Sequence, residues 1–250
     1  MNALTISGLY KSFGKKAAVD HIDLSVPEGS FFGLVGPNGA GKTTALSMAV
    51  GLLRPDAGTA KIFGHDMWRE PRRAKSLLGV LPDGVALPER LTGREMLTYL
   101  GLLRGLDARV VADRAAELLA LLELDGAERT LVIEYSTGMR KKIALAAALL
   151  HAPKLVVLDE PLEAVDPISA ATVKTILRRF VASGGTVIFS SHVMAVVEQL
   201  CDRVAVISSG RVVAAGPVSA VTGGIGLEER FMSLIGAPEI AAGGLSWLAS

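Results

Sequence analysis

The chain holds a single cysteine, Cys201, among 250 residues. No internal disulfide can form, which argues against a stapled secreted domain and fits a reducing compartment. An excess of charge is also missing: 26 Lys and Arg stand against 25 Asp and Glu, so no bulk electrostatic pull toward nucleic acid or an anionic bilayer is expected. No apolar run approaches the ~18 residues of a membrane span, and the opening MNALTISGLYKSF lacks the charged-then-apolar order of a signal peptide. Internal repeats and low-complexity segments are absent, and His21, His65 and His151 show no metal-ligand spacing. What is abundant is hydrophobic residues, at 50%, with a mean hydropathy of +0.43. Either a partner covers part of the surface, or parallel strands are buried on both faces. The length suits one large domain, or a domain with a subdomain.

Short β-prone pieces, LTISGLY and HIDLSVP, are separated by polar turns in the first thirty residues and predict antiparallel strands at the edge of a sheet. FFGLVG then reads as a buried strand, GPNGAG as a loop, and KTTALSMAVGLL as a helix ended by Arg54-Pro55. From about Leu81 to Pro153 the pattern turns helical. Thr92 and Glu95 have capping-box spacing, Asp107 could cap a second helix, and Ser136 precedes a third. Strands resume at KLVVLDE and, after the helical pattern SAATVKTILRRFVAS, at GTVIFSS. RVAVISSGRVVAAG predicts a hairpin turning at Ser209-Gly210. The expected division is a nucleotide-binding α/β core over 1–80 and 154–220, a helical subdomain over 81–153, and a loosely held tail over 221–250 that ends in PEIAAGGLSWLAS.

Gly36 to Thr43 matches G-x-x-x-x-G-K-[ST] between a predicted strand and helix. Glycines there let the backbone curl so that successive N–H groups form an anion nest, to which the helix N-terminus adds partial positive charge. Phosphate suits that geometry, with Lys42 reaching the β and γ phosphates and the Thr43 hydroxyl ligating Mg²⁺. Further on, the apolar run KLVVLDEP ends in Asp159 and Glu160. A carboxylate at a strand end can hold Mg²⁺, and its neighbour can polarise an attacking water. YSTGMRKK places Ser136 before a helix whose first turn contains Gly138. Alone this is a plain helix cap, although such an end also offers a hydroxyl and free N–H groups to a phosphate.

The order of phosphate loop, helical insert, YSTGM, LVVLDEP, EAVDP and SSH resembles the ATP-binding cassette family, the ATPase subunits of ABC transporters, over residues 1 to 215. The resemblance implies an α/β P-loop NTPase core with an N-terminal antiparallel β subdomain and a helical insert. It implies ATP on Gly36, Pro37, Asn38, Gly39, Ala40, Gly41, Lys42, Thr43 and Thr44, with the Tyr10 ring stacked on adenine. Asp159, Thr43 and Asp83 become the Mg²⁺ positions, Glu160 the water-activating carboxylate, and His192 the γ-phosphate contact. Ser136, Thr137, Gly138 and Met139 would complete the site of a second cassette packed head to tail, and Asp166 would lie in the loop through which the two communicate.

Three departures accompany the match. Asp83 stands where most members carry Gln; it can accept a hydrogen bond but not donate one. Thr137 and Met139 replace the usual Gly and Gln, and Glu163 and Ala164 replace the usual Ser and Gly. The acidic Asp83 position, LTGRE and YSTGMRKK are similar to the branch that drives exporters of drugs and polysaccharides. The implied protein is a cytoplasmic ATPase, peripheral on the inner face of the membrane, bound to a polytopic transport subunit and not to nucleic acid. The segment from Asp83 to Leu106 would meet that subunit. The second cassette is expected to be an identical copy, with pairing to a related cassette left open, as is the alternative of a soluble cassette ATPase in DNA repair or translation.

Overall fold

The structure, a computed structural model, describes residues 1–84 and 86–236. The PEIAAGGLSWLAS segment lies outside the described residues. The chain opens with β1 (Asn2–Phe13) and β2 (Lys16–Pro27), then β3 (Phe31–Val35) and α1 (Lys42–Ala49). β4 (Ala57–Ile62), β5 (His65–Asp66), α2 (Pro71–Ser76) and β6 (Leu78–Leu81) follow. The helical stretch is α3 (Gly93–Leu103), α4 (Ala108–Leu121) and α5 (Thr137–Leu149). The chain then runs through β7 (Leu155–Leu158), α6 (Pro167–Ala182), β8 (Thr186–Ser191), α7 (Met194–Leu200), β9 (Arg203–Ser208), β10 (Arg211–Pro217), α8 (Val218–Thr222) and α9 (Leu227–Ile235).

Two sheets form. β2-β1-β4-β5 is antiparallel, so the opening strands belong to a sheet of their own and do not edge the main one. The main sheet has the order β10-β9-β3-β8-β7-β6, parallel from β9 to β6 and closed by the β9–β10 hairpin. Ser209 and Gly210 turn that hairpin at φ 50° and 77°, the positive values that match the right-handed twist of the strands.

Strand alternation decides where the core sits. Phe32 and Leu34 face the antiparallel sheet and α1, together with Leu4, Ile6, Met48 and Ile62. Phe31 and Val35 face the other way, into a cluster with Ile143 of α5, Val173 and Leu177 of α6 and Val197 of α7. The parallel strands are thus buried on both faces, which raises the hydropathy of the chain.

The helical insert follows its caps. Thr92 and Glu95 form the reciprocal capping box of α3, Asp107 accepts from the Arg109 and Val110 amides at the start of α4, and the Ser136 hydroxyl accepts from the Met139 amide at the start of α5. Elsewhere the elements differ from expectation. α1 stops at Ala49 instead of running to Arg54, because Gly51 at φ 75° turns the chain out of the helix. The 55–80 stretch, which carries no strong period, forms β4, β5, α2 and β6. Residues 221–235 are not a loose tail: α9 buries Leu227 and Phe231, and the Glu198 carboxylate of α7 accepts from the Leu227 amide at 3.2 Å.

Candidate functional site

Four neighbouring parallel strands deliver the site from their carboxyl ends, where ligands of open α/β sheets bind. β3 leads into Gly36–Thr44, β6 into Asp83, β7 into Asp159 and Glu160, and β8 into His192. A cleft of about 530 Å³ opens there, lined by Asn38 to Thr44, Asp83, Glu160, Glu163 and His192.

The loop after β3 is shaped by its glycines. Gly41 caps α1 at φ 106°, and a Cβ there would collide with the Ala18 carbonyl oxygen. Gly36 is pressed in the same way against the Ile207 carbonyl, so both positions exclude a side chain. Lys42 is 5% exposed. Its Nζ donates to Gly36 O at 2.8 Å and Pro37 O at 3.3 Å, and lies 3.7 Å from Glu160 Oε1. The ammonium is held at the mouth of a helix N-terminus, a place where anions bind.

Glu160 is the hub. Its Oε2 is 3.1 Å from His192 Nδ1 and its Oε1 faces Lys42. Its amide donates to Ser190 Oγ at 2.9 Å, and its carbonyl accepts from Lys141 Nζ and, at 3.3 Å, from the Glu163 amide. Glu160 has φ 45° and precedes Pro161. A left-handed non-glycine residue costs roughly 1–2 kcal/mol, and such strain persists only where neighbours over-determine it.

Asp159 is 4% exposed, and its Oδ1 accepts from the Ser190 hydroxyl. Thr43, Asp83 and Asp159 supply hard oxygen donors, the chemistry Mg²⁺ takes when substrate phosphates and water fill the rest of its shell. Among the described residues there is no group of three or more His, Cys, Asp or Glu that could hold a metal ion.

The structure brings together the phosphate loop, Asp83, Glu160 and His192; Asp159 is not among the residues that line this cleft, and neither are Tyr10, Asp166 and the group around Ser136. Ser136, Gly138 and Met139 sit at the head of α5 and do not line the cleft; Thr137 lines a neighbouring cavity of about 370 Å³ together with Asp83, Arg140, Lys141 and Glu163. Asp166 caps α6 through the Ile168 and Ser169 amides. Hydrogen bonds from Ser169 hold its carboxyl below the usual range, and its Oδ2 is 3.7 Å from where a Gly138 Cβ would stand.

Tyr10 requires a correction. It is absent from the cleft; its ring lies against His21, with centroids 4.9 Å apart. The aromatic at the cleft is Phe13, 55% exposed and flanked by Lys16 and Ala18. Phe13 ends β1, paired to Lys16 of β2 alone, while Tyr10 is also paired to Ala57 of β4, and Phe13 is the one that lines the cleft. A signal was present: Phe13 is the aromatic immediately before the Gly14 turn. Ala164 also finds its physical account. It adopts φ 55°, the region a glycine occupies without strain.

Residues 19–163 match the family described as ABC transporter. The chain belongs to the ABC transporter family. It is 41% identical, over 90% of its length and 68% of the relative's, to a daunorubicin/doxorubicin resistance ATP-binding protein of Streptomyces peucetius. It is 37% identical to a Nod factor export ATP-binding protein of Rhizobium sp. (strain N33), over 86% of this chain and 70% of that one. A solved ATP-binding subunit of an ABC transporter superposes with a TM-score of 0.86 at 26% identity, covering 93% of this chain and 99% of the other. The chain is an ATP-binding cassette ATPase of a transporter, and the reading as a DNA-repair ATPase is set aside. No helix among the described residues is long and apolar enough to cross a membrane.

Proposed function

We propose that this chain hydrolyses ATP to drive export through a separate polytopic membrane subunit, on whose cytoplasmic side it docks, and that it works as one of two cassettes arranged head to tail. The observation that carries the catalytic half is the Lys42–Glu160–His192 cluster at the mouth of the phosphate loop. Export is supported by the names of the relatives; the membrane subunit would choose the cargo.

In this reading ATP lays its phosphates on the Gly36–Thr44 backbone, with Lys42 exchanging its loop carbonyls for β and γ oxygens. Phe13, in the role first given to Tyr10, stacks on the adenine. Thr43, Asp83 and Asp159 would hold Mg²⁺, which would supply positive charge to the phosphates. Glu160 accepts a proton from water as that water attacks the γ-phosphorus; the bond to the bridging oxygen breaks and ADP leaves with that electron pair. His192 keeps the carboxylate aligned and donates toward the γ-phosphate. Ser136, Thr137, Gly138 and Met139 serve the partner's ATP: Ser136 and the free amides of α5 suit a phosphate, and they lie outside the cleft of their own chain. Asp166, beside Gly138, then links the two sites. ATP bridging both cassettes favours the closed dimer because its second set of contacts exists only there.

The test is Glu160→Gln. Hydrolysis should fall about 10²–10⁴-fold while ATP binding persists, and an ATP-bound dimer should accumulate on size exclusion. Undiminished phosphate release would overturn the assignment.

A further inference from the structure

Glu160 is pinned at its amide, its carboxylate and its carbonyl. The amide partner Ser190, the carboxylate partners Lys42 and His192, and Glu163 all come from the α/β core around the strand ends. Lys141 comes from elsewhere. It lies on α5, and its Nζ reaches across to donate to the Glu160 carbonyl. Ion pairs engage Arg140 with Glu89 and Lys142 with Glu123, whereas no carboxylate among the described residues lies within salt-bridge distance of Lys141. Its long stem shares the cavity face of α5 with Thr137 and Ala144, facing Asp83 and Glu163, so its charged head is committed to a main-chain oxygen of the residue that activates water.

The position of that oxygen matters because of the backbone conformation. At φ 45°, Glu160 is held against its local preference. Rotation of the peptide that carries its carbonyl would swing the carboxylate out of line with Lys42 and His192. A charge-assisted bond to that carbonyl opposes the rotation more strongly than the 3.3 Å amide contact from Glu163.

We propose that Lys141 is a positioning residue for Glu160: from the second turn of α5 it fixes the carbonyl of the water-activating residue and so makes the carboxylate's aim depend on how α5 is seated. The helix that begins at Ser136 and offers its N-terminus to phosphate thereby bears, four residues after Thr137, on the base of its own chain. A phosphate taken up at the head of α5 and the alignment of Glu160 become coupled through one side chain.

This inference rests on Glu160 being the water-activating group, and the experiment separates the two. Steady-state phosphate release and nucleotide binding are measured on the full chain and on its Lys141→Met, Lys141→Arg and Glu160→Gln variants, with thermal melting of each. Lys141→Met should lower kcat about tenfold to a hundredfold, the scale of a misplaced reacting group, with KM and ATP affinity changed by less than about twofold. Lys141→Arg, which keeps the charge and donor, should recover most of the turnover. Turnover of Lys141→Met within about twofold of the parent, on the same scale, would overturn the proposal. So would an equally deficient Lys141→Arg, or a loss of turnover that tracks lost ATP binding or a collapsed melting transition. If instead Glu160→Gln retains turnover, the reading of Glu160 is what has failed.

Discussion

Replacing Phe13 by alanine separates the nucleotide contacts into two parts. Phe13 sits at the cleft with 55% of its surface exposed, and the Lys11 Nζ is 5.8 Å from its ring centroid. Little packing is lost with the ring, so the melting temperature should hold, as for exposed substitutions worth within about 0.5 kcal/mol. A base stacked on an aromatic ring is worth about 1–3 kcal/mol by alanine substitution, which corresponds to about 5–150-fold in Kd. Isothermal titration with ATP should therefore show that weakening, while tripolyphosphate, which has no base, should bind within about twofold of the parent. Tyr10→Ala is the paired measurement. Its ring packs on His21 outside the cleft, so ATP affinity should stay within about twofold and the cost should appear in the melt. The reasoning is refuted if Phe13→Ala binds ATP like the parent, if tripolyphosphate is weakened as much as ATP, or if Tyr10→Ala selectively loses ATP.

Gly41→Ala should abolish tight ATP binding and lower the melting temperature, because the new Cβ meets the Ala18 backbone at a φ of 106°; strain of about 1–3 kcal/mol is expected, and a melt and an ATP titration both read it. His151 supplies a pH dependence. Burial, followed by the charge of Arg104, pushes its imidazole down to about 4. A group whose folded value is depressed contributes stability that is complete above its unfolded value, about 6.5, and lost as pH falls toward 4. His151→Gln should flatten the fall in melting temperature over that window; an unchanged slope would count against the neutral buried imidazole.

The phosphate loop was legible in the sequence because its chemistry is local. Glycines at 36 and 41 followed by Lys42 and Thr43 encode a turn, a helix start and a charge within nine residues. The caps at Thr92, Asp107 and Ser136 were legible for the same reason: each is decided within one turn of helix. Tyr10 and Phe13 were not separable in this way. Three residues apart on one strand, they differ in which is flanked by β4: Tyr10 pairs with Ala57, whereas Phe13 pairs with β2 alone. Likewise α9 carries no obvious signal until α7 is present to bury Leu227 and Phe231.

The sequence by itself determined the chemical vocabulary: a lysine on a glycine loop, two acids after an apolar strand, a histidine after another, and a capped helix whose N-terminus stands free. Tertiary structure decided which of these words meet. The strand order β3-β8-β7-β6 sets the loop, His192, Glu160 and Asp83 side by side although more than a hundred residues separate the first from the last acid. It also leaves Ser136 outside that cleft while carrying Lys141, one turn further along the same helix, onto the carbonyl of Glu160. Sheet order and helix packing are long-range events, settled by which apolar faces bury one another, and no local pattern of residues contains them.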